Sequence, residues 1–403
     1  MRRQTGAVGA TLTACGLILG TGLVASAATA QTSLANAALR YLYAQVRADG
    51  SIAGSVGATE DTVISIADNG YDPATLKSPS TGMSAYDYLS AHASAIETAG
   101  GAAKYVLTWV AARRPSAMDA SAWLTKLNTA AGSGGFVEPN GSFHNASAAV
   151  ETANAYSQSL AVLADVAAGH SLPTNATGWL TCAQRTDGGV GYAIDDSATR
   201  PPAHCGATSS DTNDTAIILQ ALGQAGIGSA NSAAKTYLKS AQHSDGGFGF
   251  NAGAGSDPSS DIVVIQALLA IGQDPTGAAW TTAGGANNPV SNLESFADPQ
   301  GSGGYIYPGN AAADAFTTSA VPQALALKSY GGGTAIVVGS SPVPATAGTA
   351  SQSPTSSVKA VTVPSTGGAG DLTSASTWAL VLLALGSLAV VGAAFLRGSR
   401  PAP

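Results

Sequence analysis

Apolar residues recur at helical spacing along most of the chain, in short segments that arrive as pairs. Leu39, Tyr41, Leu42 and Val46 share one face before Asp49-Gly50 breaks the run, and Val63, Ile64 and Ile66 follow Thr59-Glu60-Asp61. The same order returns at Trp179-Leu180, then Asp187-Gly188-Gly189-Val190, then Ile217, Ile218, Leu219 and Leu222. It returns again at Tyr237-Leu238, then Asp245-Gly246-Gly247-Phe248, then Ile262 through Leu269. Each unit reads as helix, glycine turn, helix. Glycine accepts the positive φ that such a reversal needs. Ser259, Ser260 or Asp261 is placed to cap the second helix of that last unit, and Thr59-Glu60-Asp61 to open the second helix of the first. Within each pair the second helix is the more apolar, and a helix apolar on most faces seeks burial on most faces.

The units are internal repeats. The double glycines that begin at 134, 188, 246 and 303 lie 54, 58 and 57 residues apart. Nine residues separate Tyr41 from Gly50, Trp179 from Gly188 and Tyr237 from Gly246, and Gln-Ala-Leu recurs at 220, 266 and 323. A further pair spans 83–119 without the glycine turn: Tyr86, Tyr88, Leu89 and Ile96 lead to Gly100-Gly101, and Tyr105, Val106, Leu107 and Val110 follow. The third unit carries Trp123-Leu124, Gly134-Gly135-Phe136 and Tyr156 to Leu160, and the sixth carries Leu293, Gly303-Gly304-Tyr305 and Gln323. Pro322 falls inside the last helix and predicts a kink or a shortened first turn. Six hairpins can form an open superhelix or a closed double ring. The apolar second helices favour the ring, with first helices outside.

The string Tyr237-Leu238-x3-Gln242-x3-Gly246-x-Phe248 resembles the repeat of squalene cyclases and protein prenyltransferase β subunits. The fourth unit matches through Trp179, Leu180, Gln184 and Gly188, with Val190 at the aromatic position; the first keeps Tyr41, Leu42 and Gly50. The resemblance covers about residues 34–330. It implies an all-α (α/α)6 toroid, a double ring of six helical hairpins. That architecture hosts many functions, so the resemblance bears on fold more than on chemistry.

The family's chemistry supplies specific comparisons. Squalene-type cyclases protonate an alkene with an Asp-x-Asp-Asp cluster; the nearest string here is Ala193-Ile194-Asp195-Asp196, which lacks the first aspartate. Prenyltransferases hold zinc with Asp, Cys and His. After Cys15 in the leader the chain has only Cys182 and Cys205. These two are expected to pair as a disulfide across the Asp187-Gly-Gly turn, with a metal site including His204 as the competing reading. No thioester-forming Cys-Gly-Glu-Gln occurs, and His92, His144, His170, His204 and His243 include no i, i+4 metal pair. No metal or cofactor is therefore expected.

Carboxylates gather where the second helices open: Glu60, Asp61, Glu151, Asp211, Asp214, Asp261 and Asp314. In a toroid these openings share one rim. Capping and complementation of the helix dipole explain them first. The sharper expectation is a cavity mouth that binds a cation, a polar ligand or a glycan, with Tyr305 among its lining residues. Tyr156, Phe248, Phe250 and Tyr307 are further aromatic candidates, with core packing the default for Tyr156 and Phe248. Paired carboxylates across such a mouth could also cleave a polysaccharide.

Composition changes the picture at the ends. Arg2 and Arg3, an apolar run from about Ala7 to Val24, and Ala28-Thr29-Ala30 make residues 1–30 a secretory signal peptide. Lipidation at Cys15 is the weaker alternative, because that cysteine lies inside the apolar run. Residues 31–330 form the repeat domain. Residues 331–377 are rich in Gly, Ser, Thr and Pro and read as a disordered stalk. Residues 378–396 are long and apolar enough for a transmembrane helix, and Arg397 and Arg400 mark 397–403 as a basic cytoplasmic tail. Val363-Pro364-Ser365-Thr366-Gly367 resembles a sortase signal, which would make a sortase a processing partner and cleave between Thr366 and Gly367. Sortase cleavage and a retained membrane anchor both remain open. A net charge of −7 argues against nucleic acid as a partner. The expectation is an exported, surface-held toroid that binds a small hydrophobic or polar ligand or a surface partner. A cyclase- or prenyltransferase-like enzyme and a carbohydrate-active barrel are the alternatives.

Overall fold

The structure, a computed structural model, describes residues 22–144, 153–228, 231–282, 284–331 and 333–343. Arg2, Arg3, Cys15, Glu151, the sorting-like motif 363–367 and the apolar stretch 378–396 lie outside the described residues. Among the described residues the regular structure is helical, with isolated bridges in place of strands. No helix among them is long and apolar enough to cross a membrane.

Six hairpins follow the repeat. They are α1 (Gly22–Ala44) with α2 (Val56–Asp68), α3 (Ala85–His92) with α4 (Ala99–Ala111), and α5 (Ser121–Leu127) with α6 (Ala155–Ala168). Then come α7 (Ala176–Cys182) with α8 (Thr212–Gln224), α9 (Asn231–Ala241) with α10 (Pro258–Ala270), and α11 (Pro289–Ser295) with the pair α12 (Ala315–Thr318) and α13 (Val321–Leu325). The second helices pack in sequence, α2 on α4, α6, α8, α10 and α13, and α13 returns to α2. The ring therefore closes, and the open superhelix is excluded. Outer helices sit in the grooves between inner neighbours: α5 touches α4 and α6, α7 touches α6 and α8, and α11 touches α10 and α13. Ile217, Leu219, Leu222, Ile265 and Leu268 on the inner helices are fully or almost fully buried. Each such side chain contributes about 1.5–3 kcal/mol.

One capping rule starts every inner helix. The side chains of Ser55, Thr98, Asn154, Asp211, Asp257 and Asp314 accept from the backbone N–H three residues on. A second rule ties the turns of five of the six units to the helices they feed. The N–H of Ile52, Phe143, Val190, Phe248 and Tyr305 donates to Thr59, Gln158, Thr215, Asp261 and Thr318, at 2.8–2.9 Å. Each acceptor lies four residues after its cap. The inner helices thus begin earlier than the apolar pattern implied. Ser55 caps α2 ahead of Thr59-Glu60-Asp61, and Asp257 caps α10 ahead of Ser259-Ser260-Asp261. The polar first turn hid both starts.

The double glycines fit the next unit as well as the reversal. Gly246 has φ +87°, and a Cβ there would lie 2.4 Å from the Asn288 nitrogen at the start of α11; at Gly247 it would lie 2.0 Å from Asn292 Oδ1. Gly303 and Gly304 meet Ala37 and Tyr41 of α1 in the same way, which joins the sixth unit to the first. The repeat glutamines close these turns: Gln242 Nε2 donates to the Gly246 carbonyl at 2.8 Å, and Gln184 Nε2 to that of Gly188 at 3.1 Å.

Three further expectations meet the structure here. Gly100-Gly101 does not end a helix; both residues lie in the first turn of α4, where a Cβ on Gly100 would press on Ser157 Oγ of α6 at 2.7 Å. Pro322 does interrupt the last inner helix, which is split into α12 and α13. Cys182 and Cys205 form a disulfide that closes the long loop of the fourth unit.

Candidate functional site

Counting from each cap brings the ring axis into register. Tyr156, Asn213 and Ser259 stand two residues after their caps. Asp61, Lys104, Leu160, Ile217, Val263 and Ala320 stand six after, and Gln220, Gln266 and Gln323 nine after. Offsets of 2, 6 and 9 fall on one helical face. A cavity of about 50 Å³ lies between these layers, with Asp61, Tyr156, Asn213, Ile217, Ser259, Val263, Gln266, Ala320 and Tyr330 in its wall. Ile262, Phe250 and the cap Asp257 complete the wall.

Charge sits in the middle layer. Lys104 Nζ contacts both carboxylate oxygens of Asp61 at 2.8 Å, with both side chains almost wholly buried. Because α2 and α4 are neighbours, the shared offset of six places these two groups at one level. The Tyr330 hydroxyl lies 3.4 Å from Asp61 Oδ1. Burial opposes the charge of Lys104, but Asp61, then Tyr330, Tyr156 and Glu60, outweigh it and hold its pKa well above the usual lysine value. Glu60 is 2% exposed. Burial pushes its carboxyl up to about 8, with Lys104 opposing and Asp61 adding. Asp214 is raised well above the carboxylate range, by burial first and then by Asp211, and its Oδ2 is buried without a partner. Tyr156 and Tyr330 are raised by burial too. The axis thus holds one ion pair among proton-bearing groups.

Below this level the glutamines form a chain. Gln266 Nε2 donates to Gln323 Oε1 and Gln323 Nε2 to Asp68 Oδ2, each at 2.8 Å. Burial lifts Asp68 to about 6 against the opposing Gln323 bond.

The candidate residues fall into three groups. Asp61 is at the cavity, and Glu60 and Asp214 are buried beside its charged groups. Asp211 and Asp314 are helix caps, as capping required, and Asp261 is the tie to the Phe248 amide that Thr215 supplies in the neighbouring unit. Tyr305 is 1% exposed and packs with Ala35, Ala38, Val290 and Leu293, away from the axial cavity. It follows Gly304 as Phe248 follows Gly247, and that position points into the hairpin. Phe248 is likewise buried, and Phe250 reaches the cavity.

Lys104, Tyr330 and Asp257 escaped notice in the sequence. Lys104 is the single charge in an otherwise apolar helix, which was the available signal. Asp195, the nearest counterpart of a cyclase acid, is exposed and lowered by its bonds from Ser197. Asp196 accepts from Ser142 at 2.7 Å and contacts His144; these bonds lower it despite partial burial. Among the described residues no group of His, Cys, Asp and Glu is arranged to hold a metal.

At the level of sequence, no family model and no curated protein matches the chain. The folded chain is similar to the type II terpene cyclase MstE from Scytonema, in an arginine-to-alanine variant solved with geranylgeranyl dihydroxybenzoate as substrate. The TM-score is 0.51 at 14% identity, over 75% of this chain and 98% of that one. A tyrosine-to-phenylalanine variant of the same cyclase, without ligand, gives a TM-score of 0.49 at 13% identity, with the same coverage. The fold is the α/α toroid of type II terpene cyclases. At this identity the likeness carries the architecture and leaves the chemistry to the residues at the axis.

Proposed function

We propose that this chain is an exported, surface-held toroid that binds a small polar ligand at the N-terminal mouth of its inner ring and does not catalyse. The signal-like leader and the stalk with its apolar terminal stretch motivate the location. The filled axis motivates the binding role. Lys104, Tyr156, Tyr330 and three glutamines occupy the ring centre and leave about 50 Å³. A space of that size suits a few water molecules or one small group, since a water needs about 10–15 Å³. The wall offers Asp257, Asn213 and Tyr156 to hydrogen-bond donors and Ile217, Ile262 and Phe250 to an apolar face. Asn213 Oδ1 is buried without a partner, so a donor there would satisfy it. Polyols, monosaccharides and alkylammonium ions combine such donors with a small apolar face.

The test is a titration panel of those three classes alongside prenyl compounds, read by calorimetry and by thermal shift. A saturable response to one polar class, lost in Asn213→Leu, is the expected result. A response confined to prenyl compounds would reject the reading.

The structural neighbour favours one alternative, a cyclase acting on a polyprenyl substrate. Alkene protonation needs a strong acid. The acids near the axis, Glu60 and Asp214, are shifted the other way, toward holding their protons. Incubation with squalene and with geranylgeranyl aromatics, followed by product analysis, decides. A cyclised product that disappears in Asp214→Asn would establish the enzyme and displace the binding role.

A further inference from the structure

The residues after α13 do not leave the ring directly. Leu327 takes φ 53° and Gly331 φ 74°, and between them the chain turns back across the C-terminal end of the inner helices. The left-handed region is uncommon for leucine, so the packing around it must hold the turn. The Tyr330 N–H donates to Gln220 Oε1 of α8 at 2.9 Å, and Gln224 Nε2 donates to Ser329 Oγ at 3.3 Å and to the Tyr330 carbonyl. The chain then passes Arg113 after α4, which donates to the Thr334 carbonyl. It ends on the segment after α2: Val337 N–H on the Gly70 carbonyl at 3.0 Å, Gly339 N–H on Asp72 Oδ2 at 2.8 Å, and Asp72 N–H on the Ser340 carbonyl at 3.0 Å. From this crossing the Tyr330 side chain runs up the axis to Asp61, past the glutamine layer, and is itself part of the cavity wall.

We infer that residues 329–331 and 333–340 are a strap across the C-terminal mouth of the ring, that Tyr330 is its plug in the axial site, and that the strap couples the segment beyond it to that site. Three observations carry this. The strap runs from the end of α8 to the ends of the neighbours α4 and α2, on the far side of the ring from α8. Its plug is 6% exposed, whereas its outer face shows Val337 and Val338 at 65% and 88%. It is also the segment through which the domain continues into the Gly/Ser/Thr/Pro-rich region. Displacement of the far end therefore acts on Tyr330 through a short, turn-bounded chain. With the plug withdrawn, the axis presents a phenol-shaped space ending at the Asp61–Lys104 pair, a site for a phenol or for the tyrosine of another extended peptide. The inference deepens the axial-site reading above, but its test uses no ligand of the N-terminal mouth, so the two succeed or fail separately.

The experiment compares full-length wild type, Gly339→Pro and Tyr330→Gly. Gly339 has φ 74° and no neighbour within 4 Å of a Cβ, so proline there removes the donor to Asp72 and cannot keep the turn, while the ring is untouched. Hydrogen exchange should quicken about tenfold at Tyr330 as well as at 337–340, because the strap opens as one unit. Quickening confined to 337–340 overturns the coupling. In Tyr330→Gly, p-cresol should bind saturably and raise the Tm, with no effect on wild type. A folded Tyr330→Gly that ignores p-cresol overturns the plug. If that variant does not fold, the exchange comparison in Gly339→Pro decides alone.

Discussion

At the residue scale the controlling feature is a buried ion pair. Asp61 and Lys104 stand at the same offset on adjacent helices and are both almost wholly buried, so removing one leaves the other buried without its charge partner. Lys104→Met should therefore leave Asp61 as an uncompensated buried charge and cost about 3–5 kcal/mol. Joining it with Asp61→Leu should restore much of that loss, because the desolvation penalty disappears with the charge. Urea unfolding of the two singles and the double measures this. A double variant as weak as Lys104→Met would show that the pair is held by something other than its own compensation. Asp61 was visible in the sequence as one of several carboxylates near helix starts, but its role was not. Its partner is 43 residues away, and only the count from each cap reveals that they share a level. The same count separates Asp211 and Asp314, which cap, from Asp214, which is buried three residues past its cap.

At the scale of the hairpin, the glycine turn shows which glycines matter and why. Gly301 and Gly303 flank one turn, with φ +77° and +86°. A Cβ on Gly301 meets nothing within 4 Å, whereas one on Gly303 would lie 2.5 Å from the Ala37 carbonyl oxygen of α1. Gly301→Ala should cost only the strain of the backbone, about 1 kcal/mol. Gly303→Ala adds a clash with the backbone that joins the sixth unit to the first, and should cost at least about 2 kcal/mol more. Equal losses on thermal or urea unfolding would mean that the turn gives way and the ring does not depend on the close approach. The repeat was legible at this scale because the turn needs positive φ at fixed positions and leaves Asp-Gly-Gly in the sequence. Helix starts were harder to place. Serines, threonines and aspartates crowd the first turns, and several of them could cap in isolation. The second unit has no glycine turn to mark it, and its Gly100 serves the α4–α6 contact instead. The sequence had no way to show the strap: residues 333–343 share the composition of the segment that follows, and only their hydrogen bonds set them apart.

At the scale of the whole molecule, closing a ring around polar side chains fixes how stability depends on pH. Glu60 is shifted from 4.5 to about 8, and Asp68, Asp165 and Asp211 from 3.8 to about 6, each chiefly by burial. In the unfolded chain all four lose their protons near pH 4. The folded protein keeps them longer, so between these values it binds more protons than the unfolded chain, and stability must fall as pH rises. The opposite shift occurs at the surface. Asp49, Asp87 and Asp298 are lowered by hydrogen bonds from nearby serines, so their contribution is lost as pH falls below the usual carboxylate range. The two sets together place the maximum of Tm in acid, at about pH 4 where the unfolded carboxyls titrate, with a continuous decline toward about pH 8. Glu60→Gln cannot ionise and should make the upper part of that decline, above about pH 6, shallower, leaving there the share of Asp214 and Asp261, which burial also raises well above the carboxylate range. A wild-type Tm that is level or rises from pH 5 to 8 would mean that water reaches these carboxylates in the folded protein. Loss of the decline in Glu60→Gln, with the strap exchange unchanged, would tie the effect to the charged layer and leave the C-terminal mouth out of it.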